Sequence, residues 1–161
     1  MRIELGGAFA DLLNDEDVLE FLRRQAAGAK YVTSVCTGSL ALGAAGLLKG
    51  YRAATHWSAM EMLAQFGATP TKTRVCVDRN RITGGGVTAG IDFALTLVSI
   101  MVNRTTAEAI QLQMEYNPAP PFNAGSPDTA PAEVLALLRE RGAQNHARRL
   151  DAVQRAAERV A

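Results

Sequence analysis

Apolar positions along this chain follow two periods, and the change from one to the other marks its elements. Tyr31 to Val35 is a short β-branched and aromatic run that predicts a buried strand, and Ser39 to Leu48 follows with small residues and leucines at helical spacing. Upstream, Ile3 to Leu5 can supply only a brief strand running into Gly6-Gly7. Asn14 is a good N-cap for a helix whose first turn carries Asp15, Glu16 and Asp17, whose apolar face is Val18, Leu19, Phe21 and Leu22, and which closes at Arg23, Arg24 and Gly28. The order strand, helix, strand suits a right-handed parallel crossover.

Downstream, Lys49-Gly50 predicts a turn and Arg52 to Thr55 an extended segment entering His56-Trp57. Ser58 to Phe66 reads as a helix with Met60, Leu63, Ala64 and Phe66 inward and Gly67 as its stop. Thr71 to Val77 and Arg81 to Thr83 flank Asp78-Arg79-Asn80, which reads as a hairpin or a tight strand connection, and Gly84-Gly85-Gly86 follows. From Val87 to about Val102, Ile91, Ala94, Leu95, Val98 and Met101 predict a helix packed deep against a sheet. A further helix, capped by Thr105 or Thr106, reaches Tyr116, and residues 117–127 form a Pro- and Gly-rich surface loop. A helix restarts at Ala132, and Gly142 is expected to interrupt it before a last helix from Gln144 to Val160. This organisation predicts an α/β domain over residues 1–145 and a helical tail over 146–161.

Alternating elements of this kind give an open, mostly parallel sheet with helices on both faces, where ligands bind at strand carboxyl ends. Gly6-Gly7, Cys36 and Gly84 to Gly86 all fall at such ends, which converges three features on one crevice. The length of 161 residues fits one domain, and 48% hydrophobic content is enough for a core. Lys plus Arg (17) nearly balance Asp plus Glu (16), which argues against a nucleic-acid partner and favours a small molecule. Two cysteines without neighbouring ligands make neither a disulfide framework nor a zinc site, so a reducing cytoplasmic setting is the default. The short polar N-terminus and the interrupted apolar runs predict neither signal peptide nor membrane span.

The chemistry centres on Cys36. A strand turning sharply into a helix lifts its turn residue out of the sheet, and Ser34, Cys36 and Gly38 supply the small-x-nucleophile-x-Gly spacing of a nucleophile elbow with sulfur in place of oxygen. Unpaired N–H groups at the helix start favour the thiolate, the nucleophilic form. The backbone N–H of Thr37 would point to the same side as the sulfur; its hydroxyl either caps the helix or meets a substrate. Gly6 and Gly7 offer a second N–H for an oxyanion-type hole. Gly84 to Gly86 lacks the Walker lysine and the dinucleotide spacing, and serves either close ligand approach or close helix–sheet packing. His56 either lines the site or is satisfied locally, Asp92 takes a structural hydrogen-bond or N–H-capping role rather than a catalytic one, and Cys76 belongs to the core. Arg148, Arg149, Arg155 and Arg159, interleaved with Asp151 and Glu158, read as a solvated face or a subunit contact.

Four stretches in order give the chain a resemblance: Tyr31-Val-Thr-Ser-Val-Cys-Thr-Gly-Ser-Leu40, Thr55-His-Trp57, Thr83-Gly-Gly-Gly-Val-Thr-Ala-Gly-Ile-Asp-Phe93 and Gln111-Leu-Gln-Met-Glu-Tyr-Asn-Pro-Ala-Pro-Pro-Phe122. It resembles the DJ-1/PfpI superfamily, and within it the isonitrile (isocyanide) hydratases. The resemblance implies a flavodoxin-like three-layer sandwich, a homodimer, no metal or organic cofactor, and a hydro-lyase reaction that adds water to an isonitrile to give an N-substituted formamide. Cys36 would attack the terminal isonitrile carbon, the nitrogen side would be protonated, and water would displace sulfur from a thioimidate. Thr37 would join Cys36 as catalytic, with Gly6, Gly7, Gly85, Val87 and His56 as oxyanion or substrate contacts. Peptidase-like members carry histidine where Thr37 stands.

Family domains begin with about two further βα units, on the order of sixty residues, before the strand that ends at the Gly-Gly matching Gly6-Gly7. The chain is therefore expected to be N-terminally truncated, without the acidic residue that pairs with the cysteine. Two other functions share the elbow: a DJ-1-like stress-protective or glyoxalase protein, and the ligand-binding domain of a transcription regulator.

Overall fold

The computed structural model of the chain describes residues 5–160. Its elements are α1 (Leu5–Leu12), α2 (Glu16–Gly28), β1 (Val32–Val35), α3 (Gly38–Ala44), β2 (Arg52–Ala53), a 3₁₀ helix (Trp57–Phe66), β3 (Thr69–Pro70), β4 (Val75–Asp78), β5 (Arg81–Gly84), α4 (Ala89–Met101), α5 (Arg104–Gln113) and α6 (Ala132–Val160). The fold is α/β. β5 is the middle strand of a three-stranded sheet in the order β1-β5-β4, and β2 and β3 form a second, parallel pair.

β1 and β5 run parallel with Val32 opposite Arg81 and Val35 opposite Gly84, which brings both carboxyl ends to one level. β4 and β5 form the expected hairpin, Asp78 facing Arg81 across Arg79-Asn80. Arg79 adopts φ 55°, the left-handed conformation that a two-residue hairpin loop demands. The hairpin is fastened to the strand beside it: the Arg52 N–H donates to Asp78 at 2.7 Å, and the guanidinium groups of Arg79 and Arg81 lie over the Tyr51 ring at 3.6 and 4.6 Å. The Arg52 N–H, and then Arg79, hold the Asp78 carboxyl below its ordinary range.

The core gathers around α3 and the 3₁₀ helix, with Leu13, Leu19, Leu40, Leu48, Leu63, Phe66 and Val153 fully or nearly fully buried. A three-residue turn explains which side chains the 3₁₀ helix buries. Met60, Leu63 and Phe66 stack in one column and Ala59 and Met62 in the next, so Ala64, expected inward on a 3.6-residue repeat, is exposed. Gly67 closes the segment at φ 69°. At Gly43 of α3, an added Cβ would lie 2.4 Å from Cδ2 of Phe66, so the approach of these two helices depends on the missing side chain.

Several local expectations change. Ile3 and Glu4 lie outside the described residues, and Leu5, expected at a strand end, opens α1 instead. The N-cap of α2 is Asp15, which accepts from the Val18 N–H at 3.2 Å; Asn14 instead donates to the Ala152 carbonyl of α6. Asn103, not a threonine, caps α5 by accepting from Thr106 N–H at 2.8 Å. Gly142 does not interrupt the last helix, because α6 is continuous for 29 residues. Its final turns pack inward through Ala152, Val153 and Ala156, and Arg159 donates to Asn14 and to the Leu13 carbonyl, so that arginine ties α6 to the start of the chain. α4 is less enclosed than its apolar pattern predicts: Ala89 is buried, while Ile91, Ala94 and Met101 are exposed. It rests on β5 and against α5 with one side, and the rest of its apolar surface is uncovered by the described residues.

Candidate active site

The elbow forms between the two parallel strand ends. Cys36 joins β1 to α3 and adopts φ 58°. A left-handed conformation costs a non-glycine residue roughly 1–2 kcal/mol, so neighbouring groups have to impose it. They do so from both sides of the residue. The Cys36 N–H is shared between the carbonyls of Gly84 at 3.1 Å and Gly85 at 2.8 Å, at the end of β5. The Cys36 carbonyl accepts from the Thr55 hydroxyl at 2.8 Å. The thiol-bearing residue is half-buried, and Cys76, the other cysteine, is buried with its thiol pushed up by desolvation.

A hydroxyl network holds the segment that carries Thr55. Ser39, in the first turn of α3, donates to the Ala54 carbonyl at 2.7 Å, which leaves Ser34 to donate to Ser39 at 2.7 Å. The Ala54 N–H donates to Thr83 of β5 at 2.8 Å. Ser39, Thr55 and Thr83 are all buried, and every one of their hydroxyls is paired. Sequence reading missed this set. Ser39, three positions after Cys36, carried a signal in principle, since a hydroxyl in the first turn of a buried elbow helix needs a partner, whereas Thr55 and Thr83 lie far along the chain.

His56 follows Thr55 directly and caps the 3₁₀ helix. Its Nδ1 accepts from the Ser58 N–H at 3.2 Å and lies 2.8 Å from the Ser58 hydroxyl, which places the ring proton on Nε2. Arg149 of α6 reaches the same hydroxyl at 3.5 Å. Burial, and then the Arg149 charge, lower the His56 pKa, so the imidazole is neutral at pH 7. The ring edge at Cδ2 would meet a Cβ on Gly86 at 3.5 Å. His56 is thus both locally satisfied and adjacent to the glycine loop after β5.

That loop serves two purposes. A Cβ on Gly84 would stand 3.3 Å from Val35 and 3.4 Å from Phe93, which is close helix–sheet packing. Gly85 donates its N–H to the Arg74 carbonyl at 2.8 Å while its own carbonyl receives Cys36, and a Cβ there would crowd the Thr73 carbonyl at 3.3 Å. Asp92 anchors the surroundings as expected of a structural carboxylate: Arg74 donates to it through Nε at 2.7 Å and Tyr116 through its hydroxyl at 3.2 Å. The Asp92 hydrogen bond keeps the Arg74 guanidinium pKa raised.

The remaining candidates are less well placed. Thr37 precedes α3 with φ −66° and ψ −9°, and its hydroxyl makes no capping bond. Val87 is 78% exposed in the turn before α4. Gly6 and Gly7 sit in the first turn of α1, which packs along α6, and not at a strand end. A cavity of about 400 Å³ opens between α4 and α5, lined by Leu95, Ser99, Ile100, Arg104 and Gln111, and it includes neither Cys36 nor His56. Among the described residues there is no cluster of three or more His, Cys, Asp or Glu side chains placed to hold a metal, and no helix long and apolar enough to cross a membrane.

The profile of the DJ-1/PfpI family matches residues 5–100, more than half of the chain. The chain belongs to the DJ-1/PfpI family. Its sequence is 55% identical over 155 residues to isonitrile hydratase from Pseudomonas putida, covering 96% of this chain and 68% of that protein. It is 38% identical over 98 residues to the HTH-type transcriptional regulator GbdR of Pseudomonas aeruginosa, covering 60% of this chain but 27% of the regulator. Among solved structures it is similar to a ThiJ/PfpI family protein from Pseudomonas syringae, with a TM-score of 0.85 and 51% identity, covering 92% of this chain and 60% of that one. A DJ-1 superfamily protein from Salmonella typhimurium matches with a TM-score of 0.57 and 28% identity over 68% of this chain and 59% of that one. The chain thus spans 60% of the length of the Pseudomonas syringae protein, and the elbow and glycine loop lie within the residues matched by the DJ-1/PfpI profile.

Proposed function

We propose that this DJ-1/PfpI chain carries the catalytic elbow of an isonitrile hydratase, with Cys36 as nucleophile and an isonitrile as its small-molecule substrate. The observation that carries the reading is the strained φ of 58° at Cys36, imposed by hydrogen bonds on both sides of the residue. Strain of this kind persists where a side chain has to be presented rather than packed. The similarity to the Pseudomonas putida isonitrile hydratase over 96% of this chain supports an isonitrile as the substrate class.

The Cys36 thiolate adds to the terminal isonitrile carbon. Atom balance then places the first proton on that carbon, since the product formamide carries its formyl C–H there; this gives a thioimidate, R–N=CH–S. Water adds to the same carbon with one of its protons going to the nitrogen. As the C–S bond breaks to return the thiolate and release R–NH–CHO, the remaining hydroxyl proton leaves and balances the proton taken up from solvent at the carbon. The Thr37 N–H, fixed by the elbow, would stabilise charge as it develops. Neutral His56, with its proton on Nε2, is available as a hydrogen-bond donor beside the glycine loop, and Gly85 and Val87 would border the substrate. No step calls for a metal or organic cofactor. Pairing into a homodimer in the cytoplasm belongs to the same reading.

Incubation with a simple alkyl isonitrile, with the formamide followed by its formyl proton in NMR, tests the proposal. Turnover that disappears in Cys36→Ala supports it. Equal formamide production by Cys36→Ala and the parent chain would overturn the role of Cys36.

A further inference from the structure

We propose that Thr55 is a positioning residue for Cys36, its hydroxyl orienting the Cys36–Thr37 peptide and through it both the thiol and the Thr37 N–H. The meaning of this for catalysis rests on the hydration reading above. Its test does not.

The Cys36–Thr37 peptide bond makes the link. In a planar trans peptide the carbonyl of one residue and the N–H of the next point in opposite directions, so fixing one fixes the other. The carbonyl of Cys36 receives the Thr55 hydroxyl at 2.8 Å and, less closely, the Ser39 N–H at 3.5 Å, so of these two donors the hydroxyl has the tighter hold. Thr55 therefore decides where the Thr37 N–H is aimed. The two carbonyls of the β5 end hold the N–H side of Cys36, so the residue is clamped from two separate elements and its left-handed φ of 58° has no easy route to relax.

The clamp is itself anchored. Thr55 is 2% exposed, and the preceding residue, Ala54, is fixed by Ser39 of α3 through its carbonyl and by Thr83 of β5 through its N–H. These two bonds tie the Ala54-Thr55 backbone to the elements that flank the elbow. A hydroxyl on such a support adds direction without freedom, which is what a positioned oxyanion donor requires. A packing role for the Thr55 methyl makes the opposite prediction for side-chain replacement, and the two are separable.

Thr55→Val keeps the shape and removes the donor, whereas Thr55→Ser keeps the donor and removes the methyl. The measurement is the rate of Cys36 alkylation by iodoacetamide, followed by mass spectrometry, with buried Cys76 as an internal reference for global loosening. In Thr55→Val we expect Cys36 to be alkylated about tenfold more slowly with Cys76 still protected, and in Thr55→Ser the parent rate to be restored. With isonitrile turnover in hand, Thr55→Val lowers kcat on the order of a hundredfold with little change in KM. If Thr55→Val does not fold, Thr55→Ala against Thr55→Ser makes the same comparison. Equal Cys36 alkylation rates with and without the hydroxyl overturn the proposal, as does a Thr55→Ser variant as impaired as Thr55→Val. Because alkylation needs no isonitrile, an inactive parent chain would count against the hydration reading and leave this test decisive.

Discussion

Gly43→Ala gives a direct check on how the elbow helix is seated. The added Cβ would stand 2.4 Å from Cδ2, 2.8 Å from Cγ and 3.1 Å from Cβ of Phe66. Carbon atoms in good contact are about 3.5–4.0 Å apart, so α3 or the 3₁₀ helix must retreat by roughly 1 Å. Phe66 is only 2% exposed, and the added atom crowds its Cβ as well as its ring, so the clash involves the base of the side chain and not a flexible end. Overpacking of this kind costs about 1–3 kcal/mol. Against it, alanine gains about 1 kcal/mol over glycine in a helix interior. The net loss is on the order of 1 kcal/mol. For a domain of this size that lowers Tm by about 2–4 °C, measured by circular dichroism and calorimetry. A Phe66→Leu replacement in the Gly43→Ala background should recover part of the loss relative to the sum of the two single changes, because it vacates the contested space. A Tm for Gly43→Ala at or above the parent value would refute the reasoning.

Other outcomes follow from the hydroxyl network and the histidine. Thr83→Val strands the buried Ala54 N–H, so stability should fall by about 1–3 kcal/mol in denaturant titration, more than its near-isosteric shape suggests. The folded His56 pKa lies below its unfolded value of 6.5, so the unfolded chain binds more protons in the interval between them; stability contributed by neutral His56 is present above about pH 6.5 and declines as pH falls. His56→Gln should flatten that part of the Tm-against-pH curve, and Arg149→Gln should raise the imidazole titration seen by NMR, since it removes the second cause of the depression.

The elbow was legible because its signal is local. A β-branched strand, a cysteine with small neighbours at fixed offsets and a helix of small residues lie within one short stretch, and the structure builds them as β1, Cys36 and α3. The hairpin at Arg79-Asn80 and the structural part played by Asp92 were legible for the same reason: turn residues and a lone carboxylate among apolar positions have few alternatives. Helix type was not. Ser58 to Phe66 has an apolar pattern compatible with either a 3.6- or a 3.0-residue turn, and the fate of Ala64 depended on which one packing selected. The end of the chain misled in another way. Gly142 weakens a helix by only about 1 kcal/mol, which contacts elsewhere along α6 override.

By itself the sequence determined the strand–cysteine–helix order, the glycine loop and the motifs that assign the chain to its family, because each is written in neighbouring residues. Only the tertiary structure decided what surrounds the thiol. Ser39 lies on α3, Thr83 on β5 and Thr55 in the segment between β2 and the 3₁₀ helix, and nothing in their spacing states that one hydroxyl points at the Cys36 carbonyl while the other two hold its support. Buried hydrogen-bond donors must find acceptors, but which acceptor each one finds is settled when the strands and helices close around them.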